Sequence, residues 1–134
     1  MAPTFLTFAQ VLAIHQDQIA RYGGESGLRD MTLLKSAVGS PAATFDGRFL
    51  YVDVFEMAAA YLFNIVKDHP FVDGNKRTGL LAAYVFLKLN GYRLDVKQLD
   101  LAETTLAVAS GKLGKAELAV YLREYSHKFL SQQG

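Results

Sequence analysis

One short stretch of the sequence concentrates the side chains that could do chemistry. Residues 69–79, HPFVDGNKRTG, bring together a histidine, a carboxylate, an asparagine, a lysine and an arginine. The stretch lies between two strongly apolar segments, MAAAYLFNIV and LLAAYVFLKL. Apolar segments of this kind are buried, so the chain must leave the core, present these polar groups and return to the core. This pattern predicts a loop that presents its side chains to a bound molecule.

The two cations of this stretch stand where the second apolar segment is predicted to begin a helix. A helix N-terminus is partially positive and disfavours Lys76 and Arg77 by roughly 0.3–1 kcal/mol each. Both residues are accounted for if an external anion completes the site, and free helix amides already favour phosphate. Gly74 lets the backbone approach the anion closely, and Asn75 can cap the helix or hydrogen-bond the anion.

Asp73 and His69 supply the remaining chemistry. A carboxylate beside a phosphate is repelled unless a divalent cation bridges them, and Mg²⁺ commonly does so with one or two carboxylates. The stretch therefore indicates a nucleotide with magnesium. His69 can accept a proton near neutral pH, which suits it to deprotonate an attacking hydroxyl in phosphoryl transfer. The chain has no P-loop and none of the protein-kinase motifs, so this would be a different kind of site.

The composition of the whole chain limits the classes of function. With 134 residues, of which 51% are hydrophobic, the chain is predicted to form one domain, residues 1–134, around a single core. The net charge of +1 comes from mixed acidic and basic residues, so direct nucleic-acid binding is not indicated. The chain has no cysteine, no secretory-signal pattern and no long apolar run. These features predict a cytoplasmic protein without a membrane span or disulfides.

The elements that must position the polar stretch are predicted to be helices. With their capping and helix-breaking residues, the predicted helices span residues 7–22, 30–39, 53–67, 76–90, 95–109 and 115–130. Between the second and third helices, Asp46 and Gly47 suit the positive backbone angles of a tight hairpin. The sequence therefore predicts an all-α, compact six-helix domain with a small β-hairpin flap.

The stretch HPFVDGNKR resembles the signature of the Fic/Doc superfamily, HxFx(D/E)GN(G/K)R, and in particular that of its death-on-curing (Doc) branch. The segments GGESGLRDMTLLKSAVGSP, FEMAAAYLFNIVKDHPF and NGYRLD extend the resemblance over nearly the whole chain. It implies a helical fold whose central helices hold the motif, with a flap that docks the target. It also implies that His69 is the general base, that Phe71 anchors the loop in the core and that Asp73 binds Mg²⁺. The residues implied to cradle the phosphates of ATP are Gly74, Asn75, Lys76 and Arg77.

Two departures separate this chain from Fic enzymes that transfer AMP, whose motif continues as GNGRxxR. Lys76 replaces the second glycine and fills space otherwise left for phosphate, and Leu80 replaces an arginine that would grip phosphate with two bonds. Doc-type toxins share both departures. The resemblance therefore implies a toxin of a type II toxin–antitoxin system. Such a toxin transfers the γ-phosphate of ATP to a hydroxyl of translation elongation factor Tu.

The resemblance also implies a cognate antitoxin that acts in trans, with a segment that folds as a helix in a groove near the active site. The chain has no self-inhibitory (S/T)xxxE(G/N) segment of the Fic kind. Two alternatives stay open: AMP transfer by the same fold, and a non-catalytic module that binds the antitoxin or the elongation factor.

Residues outside the motif have simpler interpretations. His15 and His127 are expected to be solvated or capping groups. Arg29 and Asp30 are expected to form a helix cap and an ion pair, and Arg48 in the flap is expected to be solvated.

Overall fold

The computed structural model describes residues 2–129, and helices dominate this part of the chain. Its α-helices are α1 (Phe8–Tyr22), α2 (Met31–Gly39), α3 (Val54–Asp68), α4 (Asn75–Leu89), α5 (Gln98–Ala109) and α6 (Lys115–Glu124). A 3₁₀ turn, Ser40–Ala42, follows α2 directly. The predicted six-helix fold is confirmed.

The central pair of helices, α3 and α4, forms the most extensive packing in the structure. α3 is buried on nearly all sides, as its apolar sequence predicts, and α6 covers it from one side while α1 packs on α4. Residues 69–74 connect the two helices, so they are attached to the most buried part of the fold. Among the described residues, no helix has the length and apolar character needed to cross a bilayer.

Capping residues determine where α2 and α3 begin. The predicted cap at Asp30 is present, because its carboxylate accepts the N–H of Leu33 at 2.9 Å. Asp53 likewise accepts the N–H of Glu56 at 2.9 Å. The carboxylate of Glu56 accepts from the N–H of Val52 at 3.0 Å, one residue before the donor of a standard capping box. Both predicted helix starts are therefore confirmed, the second with a shifted return bond.

A short hairpin projects between α2 and α3. Strands β1 (Thr44–Phe45) and β2 (Arg48–Phe49) pair antiparallel, and every residue of both strands is exposed. Asp46 and Gly47 have φ values of 54° and 78°, as the predicted tight turn requires. The predicted flap is confirmed, and Arg48 is exposed on it as expected.

The C-terminal part differs from the prediction in two respects. Asp95 does not cap α5, because α5 begins three residues later and the N–H of Asp95 donates to the carbonyl of Tyr125 at 2.7 Å. The last helix ends at Glu124, and β4 (Ser126–Lys128) then pairs antiparallel with β3 (Tyr92–Leu94). The predicted helix beyond Glu124 is therefore wrong as far as residue 129, and residue 130 lies outside the described residues. A helical period within one segment carries no information about a partner strand elsewhere in the chain.

The close crossing of α3 and α4 depends on a glycine. A Cβ at Gly79 would lie 3.1 Å from Cγ2 of Val66 and 3.2 Å from the carbonyl oxygen of Leu62. The second neighbour is backbone and cannot move without displacing α3. A side chain at this position therefore requires the contacting atoms of α3 to shift by a few tenths of an ångström.

We expect Gly79→Ala to lower the free energy of unfolding by about 1–2 kcal/mol, because overpacking outweighs the better helix propensity of alanine. Urea denaturation monitored by circular dichroism measures this change. Gly39→Ala is the matched control, because nothing lies within 4 Å of a Cβ at Gly39, and it should be neutral or stabilising. Equal stability of the two variants would contradict the proposed close approach.

Candidate active site

The side chain of Asn75 holds the connection between α3 and α4, residues 69–74, which we call the motif loop. Its Oδ1 accepts the N–H of Phe71 at 3.0 Å, and its Nδ2 donates to the carbonyl of Phe71 at 2.9 Å. Asn75 is 6% exposed and Phe71 1% exposed, so Phe71 anchors the loop in the core as expected. With its side chain engaged in this way, Asn75 can offer an anion its backbone N–H.

His69 begins the motif loop in an unusual backbone conformation. It has φ 51° and ψ 55°, in the left-handed region, and its N–H caps α3 by donating to the carbonyl of Ile65 at 3.2 Å. A non-glycine residue in this region is uncommon and points to local constraint. The residue is exposed at the surface. Its imidazole can therefore meet a hydroxyl from another molecule.

The carboxylate of Asp73 is held as an anion by two backbone amides. Oδ1 accepts the N–H of Gly74 at 2.8 Å, and Oδ2 accepts the N–H of Glu25 at 3.2 Å. These bonds, first that of Glu25, hold the pKa of Asp73 below its usual value, and the charge of Arg77 contributes in the same direction. A Cβ at Gly24 would lie 2.7 Å from Oδ2, so only glycine allows this approach. Asp73 is thus ionised at neutral pH in a defined position.

Within residues 2–129, no side chain caps the backbone amides at the N-terminus of α4, which lie beside this carboxylate. Its N-cap, Gly74, has φ 78° and provides no side-chain cap, and no acidic residue occupies the first turn. The first intrahelical bond runs from the N–H of Thr78 to the carbonyl of Gly74 at 3.0 Å. The amides of residues 75–77 precede that bond and remain available to an anion, and the side chain of Lys76 is exposed next to them.

Arg77 connects the start of α4 to the end of α1. Its Nη2 donates to the carbonyl of Gly23 at 3.0 Å, its Nη1 to that of Gln18 at 3.4 Å, and its guanidinium lies 5.9 Å from the ring centroid of Tyr22. The carbonyls at a helix C-terminus are partially negative and favour a cation. Within the described part of the chain these bonds use two of the five guanidinium donors, and the other donors could bind an anion.

The donor set fits a metal that is shared with a nucleotide. No cluster of three His, Asp or Glu side chains exists in residues 2–129 that could hold a metal by itself. Mg²⁺ typically takes only one or two carboxylates and completes its shell with phosphate oxygens and water, which matches the single carboxylate of Asp73. The predicted ligands and phosphate-binding residues thus lie together at one end of the motif loop.

His15 is a site residue that the sequence interpretation placed wrongly. It is 3% exposed, its Nε2 donates to the carbonyl of Asp73 at 2.8 Å, and its ring stacks on Phe71 with centroids 3.8 Å apart. The expectation of a solvated or capping histidine is therefore wrong. The helical period could have indicated that His15 is buried, since Val11, His15 and Gln18 form one buried face of α1.

The expected ion pair of Arg29 is also wrong. Its Nε donates to the carbonyl of His69 at 2.5 Å and its Nη2 to that of Asp68 at 2.7 Å, so its partners are backbone groups. His127 is exposed, with Nε2 3.9 Å from a carboxylate oxygen of Asp95, which agrees with a solvated role.

We expect His15→Phe to retain the ring stacking but lose the donor to Asp73, which should destabilise the fold by about 1–2 kcal/mol. Urea denaturation measures the loss. The control is His127→Phe at an exposed site, which should change stability by less than about 0.5 kcal/mol. If His15→Phe is as stable as the wild-type protein, this hydrogen bond does not hold the loop.

Comparison with known proteins agrees with this arrangement. The family described as the Fic/DOC family matches residues 5–87, which include the whole motif loop. The chain is 34% identical over 117 residues to the protein kinase doc of Escherichia phage P1, covering 85% of this chain and 89% of that protein. It is 45% identical over 73 residues to the toxin Doc of Mycolicibacterium smegmatis, covering 54% of this chain and 56% of that protein. The chain therefore belongs to the Fic/DOC family, in its Doc branch.

Proposed function

We propose that this protein is the toxin of a type II toxin–antitoxin system. In this proposal it acts as a kinase that transfers the γ-phosphate of ATP to a hydroxyl of translation elongation factor Tu and so arrests translation. The observation that carries the proposal is the motif loop, which begins with the exposed His69 and ends at the first-turn amides of α4, beside the ionised Asp73. The name protein kinase, carried by the phage P1 relative, supports phosphoryl transfer.

In this proposal each residue has one role. The amides of residues 75–77 and the side chains of Lys76 and Arg77 bind phosphate oxygens. The carboxylate of Asp73 holds Mg²⁺, which when bound neutralises charge on the phosphates. His69 takes the proton from the target hydroxyl as that oxygen attacks the γ-phosphorus, and the bond from this phosphorus to the β,γ-bridging oxygen breaks as ADP leaves. Little else is required of the protein, because phosphoryl transfer depends mainly on positioning and charge neutralisation.

Two residues favour transfer of the γ-phosphate over transfer of AMP. Lys76 is exposed in the first turn of α4, where its side chain occupies space that a glycine would leave for phosphate. Leu80, one turn further along α4, lines a groove beside Arg77 and gives phosphate no donor where AMP-transferring enzymes carry an arginine. A nucleotide bound without contacts from an arginine at position 80 is expected to present its terminal phosphate to His69.

The groove beside Arg77 suits the antitoxin segment that we propose as partner. It has a volume of about 390 Å³, lies between α1, α4 and α5, and is lined mainly by apolar side chains such as Tyr22, Leu81, Tyr84 and Leu101. Grooves of this kind bind the apolar face of an amphipathic helix. A helix bound here would contact Arg77 and thus restrict access to the phosphate site.

The transferred group can be measured with ATP labelled separately at the α and γ positions. We expect the purified protein with Mg²⁺ to label elongation factor Tu from the γ position only. His69→Ala should lower the rate by about 10²–10⁴-fold, because the general base is lost. Label from the α position alone would rule out the kinase in favour of AMP transfer. Undiminished growth arrest by His69→Ala would favour a non-catalytic binding module.

Asp73→Asn provides the matched test of the metal role in the same assay. The amide keeps the shape of the side chain but removes the negative charge that Mg²⁺ requires. We expect magnesium-dependent ATP binding, measured by titration calorimetry, to be lost while the fold is retained. An unchanged titration curve would contradict a role of Asp73 as metal ligand.

The antitoxin groove can be tested by growth rescue. We expect Leu81→Lys to escape rescue by a co-expressed antitoxin from the adjacent reading frame, because a buried ammonium group opposes docking of an apolar helix face. Leu99→Lys is the control, since Leu99 is 70% exposed and does not line the groove. Rescue of both variants to the same extent would place the antitoxin elsewhere.

A further inference from the structure

We propose that Arg29 is a positioning residue that fixes the backbone of His69 and thereby directs its imidazole toward the target hydroxyl. This inference rests on the proposed role of His69 as general base. It goes beyond that role because Arg29 lies outside the motif loop, in the segment between α1 and α2.

Three successive carbonyls at the junction of α3 and the motif loop, those of residues 68–70, accept hydrogen bonds from one short segment. The side chain of Arg29 donates from Nη2 to Asp68 at 2.7 Å and from Nε to His69 at 2.5 Å. The backbone N–H groups of Arg29 and Asp30 donate to the carbonyl of Pro70 at 2.7 and 3.0 Å. The peptide units on both sides of His69 are therefore held by the same two residues.

The conformation of His69 explains why such a restraint is needed. A residue before proline is disfavoured in the right-handed helical region, so Pro70 opposes continuation of α3 through His69. The chain instead turns in the left-handed region, with φ 51°, which is uncommon for a non-glycine residue, although histidine adopts it more often than most, so contacts that hold this turn favour it. The guanidinium of Arg29 is the only side-chain group in the described residues that donates to the carbonyl of His69.

The chemistry of the guanidinium group matches this position. Its planar fork can donate to two neighbouring carbonyls at once, whereas a lysine ammonium on a flexible stem cannot hold both in a fixed geometry. Its positive charge also complements the partially negative C-terminus of α3. Within residues 2–129 no carboxylate forms an ion pair with Arg29, and this cation is stabilised by the helix end that it positions.

The phosphate side of the loop is held by other groups. Asp73 is fixed by Glu25, Gly74 and His15, while the side chain of Asn75 holds Phe71. Arg29 takes part in none of these bonds. Loss of its side chain should therefore release His69 and leave the magnesium and phosphate sites in place.

The kinetic test compares Arg29→Ala, Arg29→Lys and the control Arg21→Ala. Arg21 is an exposed arginine whose partner is Asp17 on the same helix. We expect Arg29→Ala to lower kcat by about 10²-fold with an unchanged KM for ATP, since small misplacements of a catalytic group have effects of this size. Arg29→Lys should recover little of the loss, added guanidine should partly rescue Arg29→Ala, and Arg21→Ala should behave as wild type.

Histidine NMR provides a readout that does not depend on activity. The chain has three histidines, so ring-labelled protein gives three assignable signals. We expect the signal of His69 to shift or broaden in Arg29→Ala, while those of His15 and His127 stay in place. Because His15 contacts Asp73, its unchanged signal reports an intact loop end.

The outcomes separate this inference from the proposed function. An unchanged kcat in Arg29→Ala, or an unmoved His69 signal, overturns the positioning role. A rise in KM together with a shift of the His15 signal also overturns it, because Arg29 would then support the loop as a whole. If the wild-type protein transfers no phosphate, the proposed kinase fails, and the NMR comparison still decides whether Arg29 holds His69.

Discussion

The hydrogen-bonded pair of Asn75 and Phe71 is the interaction on which the rest of the site depends. The motif loop must reverse the chain between two buried helices, where an unpaired backbone group would carry the full cost of desolvation. The amide of Asn75 satisfies both the N–H and the carbonyl of Phe71, while the phenyl ring is inserted into the core. This arrangement leaves Asp73 exposed and Gly74 half-buried, directly before the first turn of α4.

The site has two parts that are distant in the sequence. The motif loop carries the chemical groups, and residues from α1 and the segment that follows it hold these groups in place. His15 donates to the carbonyl of Asp73, and the backbone N–H of Glu25 donates to the carboxylate of Asp73. The side chain of Arg77 donates to the carbonyl of Gly23. The close approach of Gly24 to Asp73 shows why the chain needs glycine there. Packing of α1 on α4 is therefore a condition for forming the site as well as for stability.

The sequence predicts those features that are determined locally. Asp30 and Asp53 mark helix starts, the Asp46–Gly47 pair marks the hairpin, and the polar loop between two apolar helices stands out. It does not predict features that depend on long-range contacts. His15 looks like a solvated residue in its helix, because its partners come from the motif loop. Strands β3 and β4 are not predicted from the sequence either, since each is only three residues long and forms by pairing with the other.

The electrostatic state of the site follows from the same contacts. Lys76 and Arg77 lie at a helix N-terminus that disfavours cations, and neither forms an ion pair with a carboxylate in the part of the chain that the structure describes. The pKa of Asp73 is lowered chiefly by backbone N–H groups, with a smaller contribution from the charge of Arg77, so the carboxylate remains ionised. The burial of apolar side chains of α3 and α4 stabilises the fold and opposes the unfavourable placement of these cations. Proteins commonly place locally unfavourable groups at functional sites. A bound anion would offset the positive charges of Lys76 and Arg77, and a bound metal cation would offset the negative charge of Asp73.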